Sequence, residues 1–511
     1  METRSAKRKK LLDSTKKGLK SDEPRDDRIS DLPDDVLHQI LFSLPIKSIA
    51  QTSVLSKRWR NLWYSFPDLD FTSLKILMNA SNARKKMSSF ELKGAEFIDQ
   101  VLGLREKHTD IRVLRICAFL SFSRLNGLIR RAIKHNVQEL DIEVSTCDYF
   151  NFPRSIIMSE SLRVFRLKSW RPGFRLPPPE IMKAGFRSLS NLSLSQVILH
   201  HQPSLLNLFT DSSFPLLKKL HLEAFSGLKH LSIICRALED LALESCFQLE
   251  DLEISSPKLE RLRVSSCFDA YSVSSRVKID APTLQIIFWS YNSITEESFL
   301  HNLTSLHEVF VGFFLLHEDL SGNKLRSMSN FMSGISHCRR LILENQCIEI
   351  LSKNKFFAGV LLCPFNKLES LELSTGFNKH NNPGLASLFR ISPAIHTITI
   401  NIVGDRSTER KQWNKDLWDL SSSGEERYWE SQTEALNCFL NHIRVVKIHG
   451  FAECANDISL VKFLLKKGKV LQELFLCTSF SKPRDSLLRE KIRFQIMGYS
   501  RASSSAKIVF Q

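Results

Sequence analysis

The sequence lacks the short motifs that usually carry catalysis, cofactor binding or metal binding. It contains no Gly-x-Gly-x-x-Gly, no phosphate loop ending in Gly-Lys-Ser or Gly-Lys-Thr, no His-Glu-x-x-His and no Cys-x-x-Cys. This excludes the commonest nucleotide, zinc-hydrolase and redox sites. Gly334 to Cys338 begins like a hydrolase nucleophile turn but lacks its final glycine, and His200-His201 has no carboxylate at ligand spacing. We interpret both as chance matches and expect no catalytic residue, no cofactor and no metal.

Long apolar runs and a regular cysteine pattern are also missing. No apolar run approaches the roughly 20 residues that span a bilayer, and the N-terminal residues do not form a signal peptide. The 11 cysteines are odd in number and irregularly spaced, which argues against a disulfide framework. Cys246 and Cys267 close strand-like runs, where a free thiol packs as a small apolar side chain. We therefore expect a reducing compartment, nucleus or cytoplasm, and no membrane partner.

Charge is plentiful but does not select a partner. The chain has 71 basic and 55 acidic residues, a formal net charge of +16, and no basic stripe interleaved with aromatic residues. Nucleic-acid binding is therefore not expected, although the charge alone would permit it. Residues 1–27 are polar and expected to be disordered. Within them, Lys7-Arg8-Lys9-Lys10 is either a nuclear import signal or a solvated basic tail.

Residues 31–63 contain three short helical patterns with more apolar surface than so small a unit can bury. Pro33, Pro45 and Ser56 are start signals for the three helices, and Asp34 and Asp35 place negative charge in the first turn. The first helix carries a wide apolar stripe, and the third places two indoles on one face. The stretch is either an ordinary piece of a larger core or a surface that another protein covers.

The same residues closely resemble the F-box in its plant form. The match runs from Leu32-Pro33 without a gap to Leu62-Trp63. The resemblance implies docking onto a Skp-type adaptor within a cullin–RING ubiquitin ligase complex. It implies that the residues pressing on the adaptor are Leu32, Pro33, Val36, Leu37, Ile40 and Leu44. It also implies that the residues holding the helices together or extending that surface are Pro45, Leu55, Trp59, Leu62 and Trp63.

A Leu-x-x-Leu-x-Leu pattern recurs, with substitutions, from about residue 111 to about residue 480. Its last two apolar positions alternate with polar ones, which predicts a half-buried strand in each copy. Such strands cannot bury their inner face alone, so the copies are expected to stack. Early copies are about 25 to 28 residues apart, whereas between residues 238 and 264 the spacing falls to about ten. Residues 238–287 should therefore be strand-rich without convex-side helices, with Pro257 and Pro282 in turns.

The repeats resemble the irregular leucine-rich repeats of plant F-box proteins. A stack of parallel strands presents one long concave face, and the polar strand positions should be exposed on it. His221, Glu244, Glu253 and Arg263 are such positions. Each of them is more typical of a solvated strand residue than of a binding residue, so the sequence singles out no target-binding residue.

The flanking segments complete the expected organisation. A spacer covers residues 67–89, and two helices, near residues 97–102 and 125–133, are expected to cap the open end of an array covering residues 90–404. A charged loop at 405–434 carries Trp413, Trp418 and Trp429, which we expect to pack on the array rather than meet a partner. Residues 435–511 resemble the FBD domain, with strands at 443–451 and 471–476, a helix at 460–465 and a closing segment at 501–510. The resemblance implies no chemistry, and the pattern itself predicts two further repeat-like units and helices that close the apolar end of the array as a structural cap.

The expected fold is α/β: a three-helix F-box at residues 28–66, an irregular leucine-rich-repeat solenoid with parallel strands, and a C-terminal FBD cap. The expected function is that of a non-catalytic substrate-recognition subunit of a Skp–cullin–F-box ubiquitin ligase. The F-box would dock on the adaptor and cullin complex, and the array would bind an unknown target protein for ubiquitination and proteasomal degradation. A repeat scaffold acting outside a ligase and a small-molecule-dependent receptor remain the alternatives.

Overall fold

The computed structural model shows an α/β chain that begins with three short helices and continues into a long parallel sheet. It describes residues 29, 31–74, 89–105, 109–170, 172–183, 185–199, 204–272, 274–314, 321–353, 363–376, 379–402, 424–451, 455–478 and 486–511. The expected N-terminal tail and its basic cluster lie outside these residues, as do His200 and His201.

The three N-terminal helices form where the sequence signals place them. They are α1 (Asp34–Phe42), α2 (Ile46–Thr52) and α3 (Lys57–Ser65). Pro33 and Pro45 lie one position before α1 and α2 in extended conformation, rather than at the first helical position. The Ser56 hydroxyl caps α3 by accepting a hydrogen bond from the Trp59 backbone N–H at 3.3 Å. The helices share a small core of Leu37, Leu41, Ile46, Ile49, Trp59, Leu62 and Trp63.

Two parallel sheets follow, of 18 and five strands among the described residues. The strands of the main sheet, with strands numbered in chain order, are β1 (Asp68–Asp70), β2 (Val113–Phe119), β3 (Glu139–Ser145), β4 (Phe150–Asn151), β5 (Val164–Ser169), β6 (Phe174–Arg175), β7 (Asn191–Ile198), β9 (Lys219–Ser226), β11 (Asp240–Glu244), β13 (Arg261–Ser265), β15 (Ile286–Asn292), β17 (Glu308–Phe313), β18 (Arg340–Leu343), β19 (Ser370–Thr375), β20 (Thr397–Ile402), β21 (Val445–Phe451), β22 (Glu473–Thr478) and β23 (Lys507–Phe510). The strands of the second sheet are β8 (Ser204–Thr210), β10 (His230–Ile234), β12 (Asp251–Ser255), β14 (Arg276–Asp280) and β16 (Glu297–His301).

The main sheet is a ladder in which nearly every repeat adds one strand. The order is β1, β2, β3, β5, β7, β9, β11, β13, β15, β17 and then β18 to β23 in sequence, while the short strands β4 and β6 pair beside β7. The register keeps the apolar pattern positions in rows. One such row runs through Leu220, Leu241, Leu262 and Ile287, and all four side chains are buried. The stacking expected from the repeat pattern is confirmed.

The closely spaced copies do not stack on one another, which corrects the sequence interpretation. The copy beginning at Leu238 forms β11 in the main sheet, the next forms β12 in the second sheet, and the third returns to the main sheet as β13. Strands that are neighbours in a sheet therefore come from copies farther apart in sequence: Asp240 pairs with Arg261. Ten residues suffice to cross the core and add one strand on the opposite side. The second sheet takes the place of convex-side helices there, and Pro257 and Pro282 lie in turns as expected.

Elsewhere the convex side is helical. The remaining helices are α4 (Ser89–Leu104), α5 (Phe122–Lys134), α6 (Pro179–Met182), α7 (Gly322–Gly334), α8 (Asn345–Lys353), α9 (Asn382–Ile391), α10 (Gly424–Ser431), α11 (Asn437–Leu440), α12 (Ala455–Lys467) and α13 (Ser486–Met497). The expectation that α4 and α5 cap the array is wrong, because α4 connects β1 to β2 and α5 connects β2 to β3. The segment expected as a spacer supplies β1, so the array begins directly after α3.

Buried thiols and an amide link successive turns of the solenoid. The Cys267 thiol donates to the Leu243 carbonyl at 3.4 Å. One repeat later, Asn292 donates to the Val264 carbonyl at 2.8 Å and accepts from the Cys267 backbone N–H at 2.8 Å. The strand-closing Cys246 and Cys267 are fully buried, so their thiols pack as small apolar groups and also donate to a carbonyl of the preceding turn. The ten cysteines that the structure describes are free thiols, as expected.

The C-terminal region continues the main sheet through β21, β22 and β23, with α12 and α13 as crossovers. The expected strands, helix and closing segment are all present. Trp429 on α10 is buried against Phe389 and Phe463, with ring centroids 6.1 Å and 5.6 Å away. It therefore packs on the array as expected, while Trp413 and Trp418 lie outside the described residues. No helix in the described part of the chain has both the length and the apolar character to cross a bilayer.

Candidate docking surfaces on the N-terminal helices and the repeat array

One side of the N-terminal helices is apolar and exposed. Val36, Ile40 and Leu44 follow one another at spacings of four along and just after α1, and each is between 36% and 42% exposed. Val54 and Leu55, in the turn before α3, are 82% and 65% exposed. We call these five residues the helical apolar surface. Exposed apolar side chains grouped in this way indicate a surface that binds another protein.

The structure divides the residues that the F-box resemblance singled out. Leu32 is half-buried, and Pro33, Val36, Ile40, Leu44, Pro45 and Leu55 are exposed. Trp59, Leu62 and Trp63 are buried and hold the helices together. Leu37, expected to press on the adaptor, has no exposed surface, so it supports the surface from beneath. Val54 is not among the contact residues that the resemblance implies. Its position next to Leu55 in the motif is the sequence feature that would have identified it as one.

An ion pair between Asp34 and Arg58 connects the first and third helices. Two nitrogens of the Arg58 guanidinium donate to one carboxylate oxygen of Asp34, at 3.0 Å and 2.6 Å, and Arg58 also donates to the Leu32 carbonyl. This contact joins the start of α1 to the first turn of α3. Because both side chains are partly exposed, the pair adds little to stability. Its effect is to fix the position of the segment that carries Leu32 and Pro33.

The helical unit is joined firmly to the array. The buried Phe66 ring lies 4.9 Å from the Phe42 ring. The buried Arg105 guanidinium donates to the Phe66 carbonyl at 2.8 Å and to the Asp110 carbonyl at 3.2 Å. Burial lowers the pKa of Arg105 to about 10, so the side chain remains charged at neutral pH. Arg112 on the approach to β2 reaches Asp68 with two hydrogen bonds and stacks over Phe42 at 5.4 Å.

The concave face is the side of the main sheet that faces away from the crossover helices and the second sheet. In its first four strands, one row of outward side chains alternates in charge as Asp70, Arg115, Asp141 and Arg166. Arg115 lies 3.5 Å from Asp70, and Arg166 lies 3.4 Å from Asp141. The pKa of Asp141 is nevertheless raised, because its burial outweighs these charges. The charges of this part of the face largely satisfy one another.

Three of the four concave residues expected from sequence lie together. The His221 ring nitrogen is 4.0 Å from Glu244, and the Arg263 guanidinium is 3.7 Å from the same carboxylate. Glu253 was expected on the same face, but its strand β12 belongs to the second sheet. There the Glu253 carboxylate lies 2.9 Å from the Lys278 ammonium nitrogen. The expectation for Glu253 is therefore wrong, because consecutive copies alternate between sheets.

The middle of the concave face is apolar, which sequence reasoning missed. Phe288, Phe310 and Ile342 occupy the same register position in β15, β17 and β18. The two phenyl rings stack with centroids 4.5 Å apart and planes 13° apart, and all three side chains are half-buried. We call these residues the concave apolar strip. The sequence feature that would have revealed the strip is an apolar residue between the two inward-facing positions of each strand. Most copies have a polar residue there.

Three buried thiols of the described residues are not activated as nucleophiles. Burial raises the pKa of Cys338 and Cys347 to about 12. The pKa of Cys117 is also raised to about 12, by burial and by its hydrogen bond to Glu143. A nucleophilic cysteine acts as the thiolate, and these thiols stay protonated at neutral pH. Cys338 closes the segment that begins like a nucleophile turn, and it lies buried just before β18. In the described residues, no group of three or more His, Cys, Asp or Glu side chains is placed to hold a metal.

Comparison with known proteins matches three regions of the chain. A model of the F-box domain matches residues 29–70, a model of the At1g61320/AtMIF1 LRR domain matches residues 100–311, and a model of the FBD matches residues 432–476. The chain is 49% identical to the F-box/FBD/LRR-repeat protein At4g03220 of Arabidopsis thaliana, over 100% of both chains. It is 26% identical to the F-box/LRR-repeat protein At5g35995 of the same plant, over 95% of this chain and 99% of that protein. It is 23% identical to the FBD-associated F-box protein At5g44490, over 98% and 94% of the two chains.

Proposed function

The chain belongs to the F-box/FBD/LRR-repeat proteins, and from this premise we propose that it is the substrate-recognition subunit of a Skp–cullin–F-box ubiquitin ligase. Its N-terminal helices dock on a Skp-type adaptor, and its repeat array holds a target protein for ubiquitination and proteasomal degradation. F-box/LRR proteins are typically non-catalytic adaptor subunits. The proposed site of action is the nucleus or the cytoplasm.

The observation that carries the proposal is the helical apolar surface. A free-standing solenoid gains nothing from exposed aliphatic side chains along α1 and before α3, whereas an adaptor would cover them. The proposed contacts are Leu32, Pro33, Val36, Ile40, Leu44, Pro45, Val54 and Leu55. Beneath them, Leu37 and the two indoles of α3 form the support that keeps the surface in place.

The proposed mechanism is one of positioning. In this proposal ubiquitin transfer is left to enzymes of the ligase complex, and the buried thiols of Cys338 and Cys347 stay protonated at neutral pH. Holding a target lysine close to a ubiquitin-charged enzyme raises the effective concentration of the two reactants. The rigid joint at Phe66 and Arg105 supports this role, because it fixes the direction in which the array extends from the docking helices.

The proposal is tested by binding of the purified chain to a recombinant Skp-type adaptor. We expect a one-to-one complex by size-exclusion chromatography and calorimetry. Ile40→Asp should weaken it by about tenfold or more, because a charge would be buried in the apolar contact. Ile234→Asp is the matched control: Ile234 is 41% exposed, Ile40 is 42% exposed, and Ile234 lies on the second sheet. A folded wild-type chain that binds no Skp-type adaptor would contradict the proposal and favour a repeat scaffold that acts outside a ligase.

A further inference from the structure

The concave apolar strip is confined to three strands. In the same register row, the preceding strand carries Arg263, and the strand after the strip carries Glu372. The strip is not part of the hydrophobic core. The side chains that face the core from β15, β17 and β18 include Trp289, Val311 and Leu343, which are buried on the other side of the sheet. Ile286, two residues before Phe288, is 40% exposed and extends the apolar surface to the amino end of β15.

Aromatic side chains continue the strip to the carboxyl end of the strands. Tyr291 follows Phe288 on β15, and its ring is exposed. Its φ of 52° lies in the left-handed region, which is uncommon for a bulky residue and costs free energy. Phe314, the first residue after β17, is exposed. Its backbone N–H donates to the Asn292 carbonyl at 2.8 Å, so Tyr291 and Phe314 lie on neighbouring turns. Exposed aromatic side chains held on a rigid sheet are frequent anchors of protein interfaces.

A carboxylate without a counterion lies beside the strip. The Glu344 side chain covers Gly312, and a Cβ at that glycine would collide with the carboxylate. The neighbouring acidic residues are paired, since Arg340 lies 3.6 Å from Glu308 and 3.0 Å from Glu372. Within the described part of the chain, Glu344 has neither a cationic partner nor a hydrogen-bond donor to its carboxylate. Its burial raises the pKa of that carboxyl, and the attraction of a cation brought to it would offset the desolvation cost of the charged form.

We propose that the concave apolar strip, Tyr291 and Glu344 together bind a segment of the target protein that carries an apolar side chain next to a lysine or arginine. This inference rests on the proposed role as a substrate receptor and names the surface and the chemistry of its target. The apolar side chain covers Phe288, Phe310 and Ile342. The basic side chain pairs with Glu344 at the edge of the strip.

Charge complementarity selects a basic rather than an acidic segment. Arg263, next to Phe288 in the register row, is already held by Glu244 and by the Phe288 ring, whose centroid is 4.7 Å away, and Arg340 is held by Glu308 and Glu372. The charge left over on this part of the face is therefore negative. In the first strands of the array, by contrast, Asp70 lies beside Arg115 and Asp141 beside Arg166, so these charges are already balanced.

The test pans a phage-displayed library of random dodecapeptides against the full-length chain in complex with the adaptor, or alone if no complex forms. We expect enriched peptides to share an apolar residue adjacent to lysine or arginine. A synthetic peptide of the consensus sequence should bind Glu344→Gln and Phe310→Ala about tenfold more weakly than wild type. Glu344→Lys should enrich peptides with an acidic residue at the same place. Glu253→Gln and Phe299→Ala, on the second sheet, are the matched controls and should bind like wild type.

The outcomes separate this inference from the proposed function. If no enriched peptide depends on Glu344 and Phe310, the inference is overturned even when the adaptor complex forms. If peptides depend on both residues but no adaptor binds, the receptor proposal fails and the binding surface stands. Glu344→Gln and Glu344→Lys change an outward side chain and should keep the wild-type melting temperature, so they decide the matter even if Phe310→Ala is unstable.

Discussion

Arg105 is the residue on which the joint between the docking helices and the array depends. It is 7% exposed, and its guanidinium donates to the carbonyls of Phe66 and Asp110. The hydrogen bond to the Phe66 carbonyl is buried, whereas Asp110 is exposed and water can replace the guanidinium at its carbonyl. Removing a charged donor from a buried acceptor costs more than the net value of the hydrogen bond, because the acceptor is left unsatisfied.

Arg105→Ala should therefore destabilise this joint by about 2–3 kcal/mol. Hydrogen exchange is the suitable measurement, because a chain of 511 residues need not unfold in one step. The expected result is faster exchange of amides in α3 and β1 and a lower first melting transition. Arg130→Ala, on the exposed side of α5, provides the comparison and should leave both unchanged. Equal exchange in the two variants would show that Arg105 does not hold the joint.

Residue by residue, the sequence predicts the docking helices better than it predicts their surface. The apolar stripe on α1, formed by Val36, Leu37, Ile40 and Leu41, is too wide to tell the covered half from the exposed half, and it does not include the exposed Phe42. Leu37 and Ile40 differ only in their tertiary neighbours: Leu37 packs against the helical core, and Ile40 does not. That division depends on how α1 crosses α3, which the spacing of residues within one helix does not encode.

At the scale of single elements, the spacing of the repeat copies fails to predict the second sheet. Three copies of the strand pattern about ten residues apart look like three neighbours, yet the middle one, β12, lies on the other side of the core. The structure pairs Glu253 with Lys278 across β12 and β14, and Ala242 with Arg263 across β11 and β13. Direct stacking of consecutive copies would instead have paired Ala242 with Glu253.

Engineered cysteines distinguish these two arrangements. Cα atoms of neighbouring strands lie about 5 Å apart, within the range of a disulfide. Glu253→Cys with Lys278→Cys should form a cross-link under mild oxidation, detected by peptide mass spectrometry without reduction. Ala242→Cys with Glu253→Cys should not, because those residues belong to opposite sheets. A cross-link in the second pair and none in the first would contradict the two-sheet arrangement.

The elements themselves were predictable where local chemistry decides them. The N-cap at Ser56, the amphipathic α5 and the strands built on strict Leu-x-x-Leu-x-Leu copies all form as the sequence indicates. The concave apolar strip was missed for a physical reason. Two of its three strands, β15 and β17, replace the leucines with Ile287, Trp289, Val309 and Val311, which fill the core equally well. The outward Phe288 and Phe310 are therefore hard to separate from the core residues on either side.

At the scale of the whole molecule, the order of F-box, repeat array and FBD region follows from the sequence, but their continuity does not. The array begins immediately after α3, because β1 is formed by the segment expected as a spacer. The FBD region in turn adds its strands to the same sheet. One uninterrupted sheet thus runs from the docking helices to the C-terminal cap, and the concave face keeps a fixed orientation to the helical apolar surface.

This continuity predicts that the joint matters for catalysis by the complex and not for binding. A flexible Gly/Ser insertion between Phe66 and Pro67 leaves the helical apolar surface and the concave apolar strip unchanged, so affinities for adaptor and peptide should stay at wild-type values. Ubiquitination of a lysine-containing test protein fused to the consensus peptide should fall about fivefold or more in the reconstituted ligase, since a flexible tether lowers the effective concentration of the target at the charged enzyme. The same residues appended after Gln511 serve as the control and should not change the rate. An unchanged rate with the internal insertion would mean that the target is positioned by the rest of the ligase and not by the packing of Phe66, Arg105 and β1.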